Sequence, residues 1–129
     1  MNGAKLTLSI LPNHFAICRL SPDADIPVWS KNTEFYSITR SRDELSVVCF
    51  NENAPLDVQA ERDWRALRIE GPLDFSLTGI LASLVSPLAE AEISVFAVST
   101  YDTDYVLVRE KFLSQAISVL KKEGHSVNF

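Results

Sequence analysis

Glycine is scarce in this chain and never clustered. Its four glycines stand at positions 3, 71, 79 and 124 of 129 residues, a scatter that excludes both a dinucleotide-binding fingerprint and a P-loop. Histidine and cysteine are sparser still, with two of each. His14 and His125 are the only histidines available as bases, and neither is spaced to activate Ser99 or Thr100 as a nucleophile. Cys18 in "FAICRL" and Cys49 in "SVVCF" lie in apolar, strand-like runs with no second ligand at metal spacing, so they read as buried free thiols. No apolar run approaches the ~18 residues of a membrane span. The start, "MNGAKLTLSILPNHF", breaks its apolar run at Thr7 and Ser9 and then meets Pro12, which makes a poor signal peptide. A cytoplasmic location without a membrane partner is the expectation. Basic residues are in deficit, 12 Lys and Arg against 17 Asp and Glu. Arg62, Arg65 and Arg68 alternate with Glu61, Asp63 and Glu70, so no basic patch offsets the net charge of −5 and no nucleic-acid partner is expected.

What is present is the composition of a folded protein: 47% hydrophobic and 22% charged residues without low-complexity tracts. The length suits one domain or two small subdomains sharing a core. Up to about Glu61 the signals are strands and short loops. "KLTLSIL" and "HFAICRL" flank Pro12-Asn13 and predict a hairpin there. "EFYSITR" and "ELSVVCF", joined by Ser41-Arg42-Asp43, predict a second. "NENAPLDVQAERDW" has room for a short helix.

From Trp64 the pattern is sharper. "WRALRIEG" alternates as a half-buried strand and is stopped by Gly71-Pro72. Ile80, Leu81, Leu84, Val85 and Leu88 recur at helical spacing, which predicts a helix from about Gly79 to Ala91, with Thr78 or Ser76 as its cap. "ISVFAVST" and "DYVLVRE" are joined by a link too short for a parallel crossover and must form a hairpin. Phe112, Leu113, Ala116, Ile117 and Leu120 predict a second helix ending at Lys121, Lys122 and Gly124, and "HSVNF" a closing strand. The order strand, helix, strand, strand, helix, strand is the split β-α-β signature of a ferredoxin-like fold. The division expected is residues 1–61, a degenerate or permuted unit of the same kind, and residues 62–129, the complete one.

Several residues invite chemistry. Asp102 and Asp104, two apart in "VSTYDTDYVLVRE", would share a side of a regular strand and form a carboxylate pair, but aspartates at a hairpin tip serve local backbone amides more often. With Asp74 they make no recognised oxygen-ligand spacing, and no metal or cofactor is expected. Gly79 falls in the first helical turn, where unpaired amides and the helix dipole favour an anionic group, and a glycine there admits a ligand close to the backbone or simply permits tight helix-sheet packing. The carboxylate of a free amino acid suits those amides, and its ammonium suits Asp104 or backbone carbonyls. Pro87 lies inside the predicted helix and strips the carbonyl of Ser83 of its amide donor, leaving a polar group for water, a partner or a ligand.

"TGILASLVSPLAEAEISVFAVSTYDTDYVLVRE" resembles an ACT domain. It is similar above all to the tandem ACT modules of cytosolic arginine sensors and their small bacterial relatives, and more distantly to aspartokinase regulatory domains. "PLAE" before the second strand and "STYxTDxxLVRE" across the hairpin carry the resemblance, which runs from about Gly71 to Leu113 and more weakly over the N-terminal half. It implies an α+β chain of two ferredoxin-like, ACT-type subdomains in tandem, antiparallel sheets with helices packed on one face. It further implies a non-enzymatic regulatory module that binds an amino acid at an interface between ACT modules and acts on a separate protein partner. The residues implied for that site are Thr78, Gly79 and Ile80 at the helix start, Ser83 and Leu84 along it, and Ser99, Thr100, Tyr101 and Asp104 at the strand end. Leu77 stands where the arginine-binding module of the sensors has an acidic residue, so arginine itself is not implied. The sensors have four modules and this chain has length for two, a difference that a homodimer makes up. The alternative is a ligand-free ACT-like module for dimerisation or interaction. RNA-recognition domains share the ferredoxin-like fold, but their aromatic-basic strand motifs are missing here.

Overall fold

A computed structural model describes residues 5–31, 34–71 and 78–129. Its elements are β1 (Thr7–Leu20), β2 (Ser37–Arg40), β3 (Leu45–Phe50), β4 (Gln59–Ile69), α1 (Ile80–Glu90), β5 (Val95–Ser99), β6 (Asp104–Arg109), α2 (Leu113–Lys122) and β7 (Ser126–Asn128). They form two compact units, Asn13–Trp64 in one and Met1–Pro12 with Arg65–Phe129 in the other. Residues 5–12 therefore group with the second half of the chain, across the division expected at residue 61.

The larger unit is built on the predicted strand-helix pattern. Leu84 and Leu88 of α1 and Leu113, Ala116 and Leu120 of α2 share one core with Leu67, Ile69, Val106 and Val108 of the strands. Both helices thus bury a single apolar stripe against the same strand face, the arrangement expected of an α+β ACT-type fold. β5 and β6 pair antiparallel from Val95↔Val108 to Ser99↔Asp104. β7 pairs not with β4 but with the start of β1, in parallel, at Thr7↔Ser126 through Ser9↔Asn128. On the other side of β1, the Glu70 amide donates to the Thr7 carbonyl at 2.8 Å, so β1 enters this sheet between β4 and β7.

The helix ends follow backbone chemistry. After α1, the Ile93 amide reaches back to Leu88 O and that of Glu92 to Ala89 O, both at 2.9 Å, a Schellman closure whose left-handed residue is Glu92, φ 62°. After α2 the same closure joins His125 to Leu120 and Gly124 to Lys121, with Gly124 at φ 97° as predicted.

The smaller unit contains β2, β3, the second part of β1 and the first part of β4. β2 and β3 form the predicted hairpin, from Ser37↔Val48 to Arg40↔Leu45, and β3 also pairs with β1 from Phe15↔Phe50 to Leu20↔Leu45. Ala16, Cys18, Leu45, Val47, Cys49 and Ala54 make one core. Phe15 stacks edge-on against Phe35 and Phe50 at 5.6 and 5.5 Å. Arg62 ties down the loop before β4 by donating to the carbonyls of Asn51, Ala54 and Pro55. Cys18 and Cys49 are free and buried, diagonal neighbours across β1 and β3. Their mutual hydrogen bond lowers the Cys18 thiol's pKa, while the same bond and burial push that of Cys49 up.

Two sequence expectations are corrected. No hairpin forms at Pro12-Asn13, because β1 is a single strand of 14 residues. Pro12 falls after the pairing with β7 and before that with β3, where a strand tolerates a missing amide. The helix allowed for in "NENAPLDVQAERDW" is reduced to a 3-10 turn at Asn51–Asn53, and β4 takes up the rest from Gln59.

Candidate functional site

The hairpin tip is an organised turn. Thr100 donates its amide to Thr103 O at 2.8 Å and its hydroxyl to the same oxygen at 3.0 Å. In return its Oγ1 accepts the Thr103 amide at 3.2 Å. The Thr103 hydroxyl, 4% exposed, donates to the Ile69 carbonyl at the end of β4, 2.7 Å away. This bond anchors the tip to the sheet. It also puts the tip, with Ser99, Thr100, Tyr101 and Asp104, at the end of the unit where β4 stops and the connection to α1 begins. Tyr101 is 80% exposed, Ser99 and Thr100 are exposed and Asp104 is half-buried. Asp102 lies in the turn rather than on a strand and is exposed, so the same-side geometry of a carboxylate dyad does not arise. Among the described residues no group of three His, Cys, Asp or Glu could hold a metal.

At the start of α1, Gly79 is the capping residue with φ 75° and ψ 2°. Among the described residues no side chain caps this helix; Thr78 is exposed, and Ser76, the other predicted cap, lies outside the described residues, as does Asp74. Among the described residues, nothing lies within 4 Å of a Cβ built on Gly79. Tight packing against them therefore does not explain the glycine; the left-handed backbone does. Ile80 is half-buried against the core. Ser83 is turned inward on its own helix, donating its amide to Gly79 O at 3.0 Å and its hydroxyl to Ile80 O at 2.6 Å. Leu84, expected on the site, is wholly buried in the core.

The structure thus places the predicted residues in two groups, the start of α1 around Gly79 and a hairpin tip pinned to the end of β4. Sequence reasoning missed Thr103, the buried hydroxyl of the tip. The signal was available in "TYDTD", where a threonine sits between two aspartates just before a β-branched run, but its partner, the Ile69 carbonyl, is 34 residues away. A shallow depression of about 490 Å³ on α2, lined by Gln115, Ser118, Val119, Lys121 and Lys122, includes none of the predicted residues.

The model of the ACT domain matches residues 59–122, spanning β4 through α2, and a second model, described as an N-terminal domain, matches residues 13–57. The chain belongs to the ACT-domain family. Among curated relatives, the bovine (Bos taurus) "Cytosolic arginine sensor for mTORC1 subunit 1" is 34% identical over 101 residues, 70% of this chain and 31% of that protein. This chain's match therefore spans about a third of that relative's length. Among solved structures, the protein Atu0741 from Agobacterium tumefaciens superposes with a TM-score of 0.92 at 40% identity, covering 97% of this chain and 93% of that one. The regulatory subunit of aspartate kinase from Thermus flavus gives a TM-score of 0.64 at 12% identity, covering 94% and 99%, which is a likeness of fold. The ACT match includes every candidate residue, since all of them fall between Thr78 and Asp104. Among the described residues no helix is long and apolar enough to cross a membrane.

Proposed function

We propose that this chain is a non-enzymatic, cytoplasmic regulatory module that binds a free amino acid at the end of its ACT unit and passes the occupancy on through a homodimer or a separate protein partner. The observation that carries this reading is the start of α1. Gly79 holds a left-handed backbone with no described residue within 4 Å of where a side chain would stand, which leaves the amides of the first turn to a carboxylate. Asp104 and the carbonyls of the tip suit the ammonium group. Thr78, Ile80, Ser99, Thr100 and Tyr101 complete the contact set, with Ser83 and Leu84 behind it. A second copy of the chain supplies the facing ACT module. The smaller unit, Asn13–Trp64, acts as the degenerate ACT-like companion that the sequence division assigned to residues 1–61. Support comes from the family and from a relative named as an arginine sensor; the residue at Leu77 argues for a ligand other than arginine.

Ligand that binds only the folded state raises its stability, by ~2.7 kcal/mol at a hundredfold excess over Kd. A thermal-shift screen of the common L-amino acids at millimolar concentration should return at least one clear hit. Silence across the panel would sink the reading. For a hit, Asp104→Ala should weaken binding about tenfold, the loss of one charge-assisted bond.

One observation favours a ligand-free dimerisation module instead. β5 ends the strand order with an uncharged edge, Val95-Phe96-Ala97-Val98-Ser99, suited to pairing with a second copy. A dimer whose mass and stability ignore every amino acid would support that alternative.

A further inference from the structure

His125 lies directly before β7 and is 5% exposed. Its ring is engaged from two sides. The Leu6 amide donates to Nδ1 at 3.0 Å, so that nitrogen carries no proton and the neutral ring holds its proton on Nε2. Nε2 in turn lies 3.3 Å from the carbonyl oxygen of Ser83. This is the carbonyl that Pro87, with no amide to offer, leaves without its helical donor. The polar group that the proline exposes is therefore taken up inside the unit by a histidine from the far end of the chain.

Ser83 is also the residue that closes the first turn of α1, through its bonds to the carbonyls of Gly79 and Ile80. A continuous polar path runs from Leu6, whose own carbonyl receives the Ser126 amide at 2.9 Å, through the His125 ring to Ser83 and on to the helix start. Replacing proline by a residue with an amide would satisfy Ser83 within the helix and make the histidine unnecessary there. The pairing of Pro87 with His125 instead ties the position of the first turn to the β1–β7 strand pair.

We propose that His125 is a positioning residue for the amino-acid site: by bonding Ser83 it sets where the first turn of α1, with Gly79 and Ile80, stands relative to the β1–β7 edge. The proposal rests on the reading of the helix start as the ligand's anchor, and its test has an arm that needs no ligand. Hydrogen exchange on the ligand-free protein compares wild type, His125→Phe, and His125→Phe combined with Pro87→Ala, which gives Ser83 an amide within the helix. His125→Phe should speed exchange in the first turn of α1, at the Ser83 amide above all, by about tenfold, as expected for one lost bond. The Ala91, Glu92 and Ile93 amides should keep their protection, and the double variant should restore the first turn. Uniform loosening along α1, or none, overturns the proposal.

The second arm takes the amino acid with the largest thermal shift in the panel. Its affinity should fall about tenfold in folded His125→Phe and recover in the double variant. Unchanged affinity in folded His125→Phe also overturns the proposal. If no amino acid shifts the wild type, the amino-acid reading falls by itself, and selective loosening and rescue in the exchange arm still assign the first turn to His125. Should His125→Phe not fold, His125→Leu, which likewise offers Ser83 no donor, takes its place with the same expected and overturning results.

Discussion

Replacing Thr103 by valine removes one hydroxyl and almost no volume. In the folded protein that hydroxyl donates to the Ile69 carbonyl at 2.7 Å, and the residue is 4% exposed, so water cannot readily take its place. A buried bond of this kind contributes ~0.5–1.5 kcal/mol net, and an acceptor left without its partner raises the cost to ~1–3 kcal/mol. Taking ~2 kcal/mol, and an unfolding entropy of ~2.1 cal/mol/K per residue over 129 residues, the melting temperature should drop by about 7 °C. Thr103→Ser keeps the hydroxyl and loses a methyl group, for ~1 kcal/mol and about half that drop. Urea titration followed by circular dichroism, with the slope m unchanged, reads both values. The order is the test. If the valine variant lies within ~0.5 kcal/mol of wild type, or above the serine variant, the bond to Ile69 does not hold the hairpin tip. Because Thr103 also fixes Thr100 and Asp104 in place, the valine variant should bind the amino acid more weakly than its residual stability explains.

The two Schellman closures make opposite predictions. Glu92→Gly should raise stability by ~0.5–1 kcal/mol by relieving a side chain at φ 62°, with Glu92→Ala as a control that should not, and a urea midpoint separates them. Gly124→Ala should lose ~1–2 kcal/mol, because φ is 97° and the new Cβ would stand 2.9 Å from the Lys5 side chain; equal stability would show that the closure tolerates a side chain. Arg62→Met, which removes the donor to three loop carbonyls, should cost ~2–3 kcal/mol in the same titration. Native Cys18 and Cys49 should react slowly with a thiol reagent, and two equivalents should appear at once in denaturant; two fast thiols in the native protein would contradict their burial.

The local chemistry of this chain determined its helices, the β2–β3 and β5–β6 hairpins and the α2 cap. Each of these rests on contacts within a few residues: the 3.6-residue stripe of Ile80, Leu84 and Leu88, a link too short for a crossover, a glycine where the backbone turns left-handed. The same locality made the ACT resemblance legible and marked the start of α1 and the tip of the hairpin as the places to look for a site. Tertiary structure decided what depends on distant partners. Pro12 is harmless inside β1 because of where the pairings with β7 and β3 begin and end, and a motif reader at Pro12-Asn13 sees only a turn. Thr103 matters because a carbonyl 34 residues away needs a donor. Pro87 announced an orphan carbonyl in the sequence, but that its donor is His125, 42 residues on from Ser83 and held in place by Leu6, follows only from the folding of both chain ends against the same helix. Hydrogen bonds at such separations leave no periodicity to read; they exist only once the strands and helices are packed.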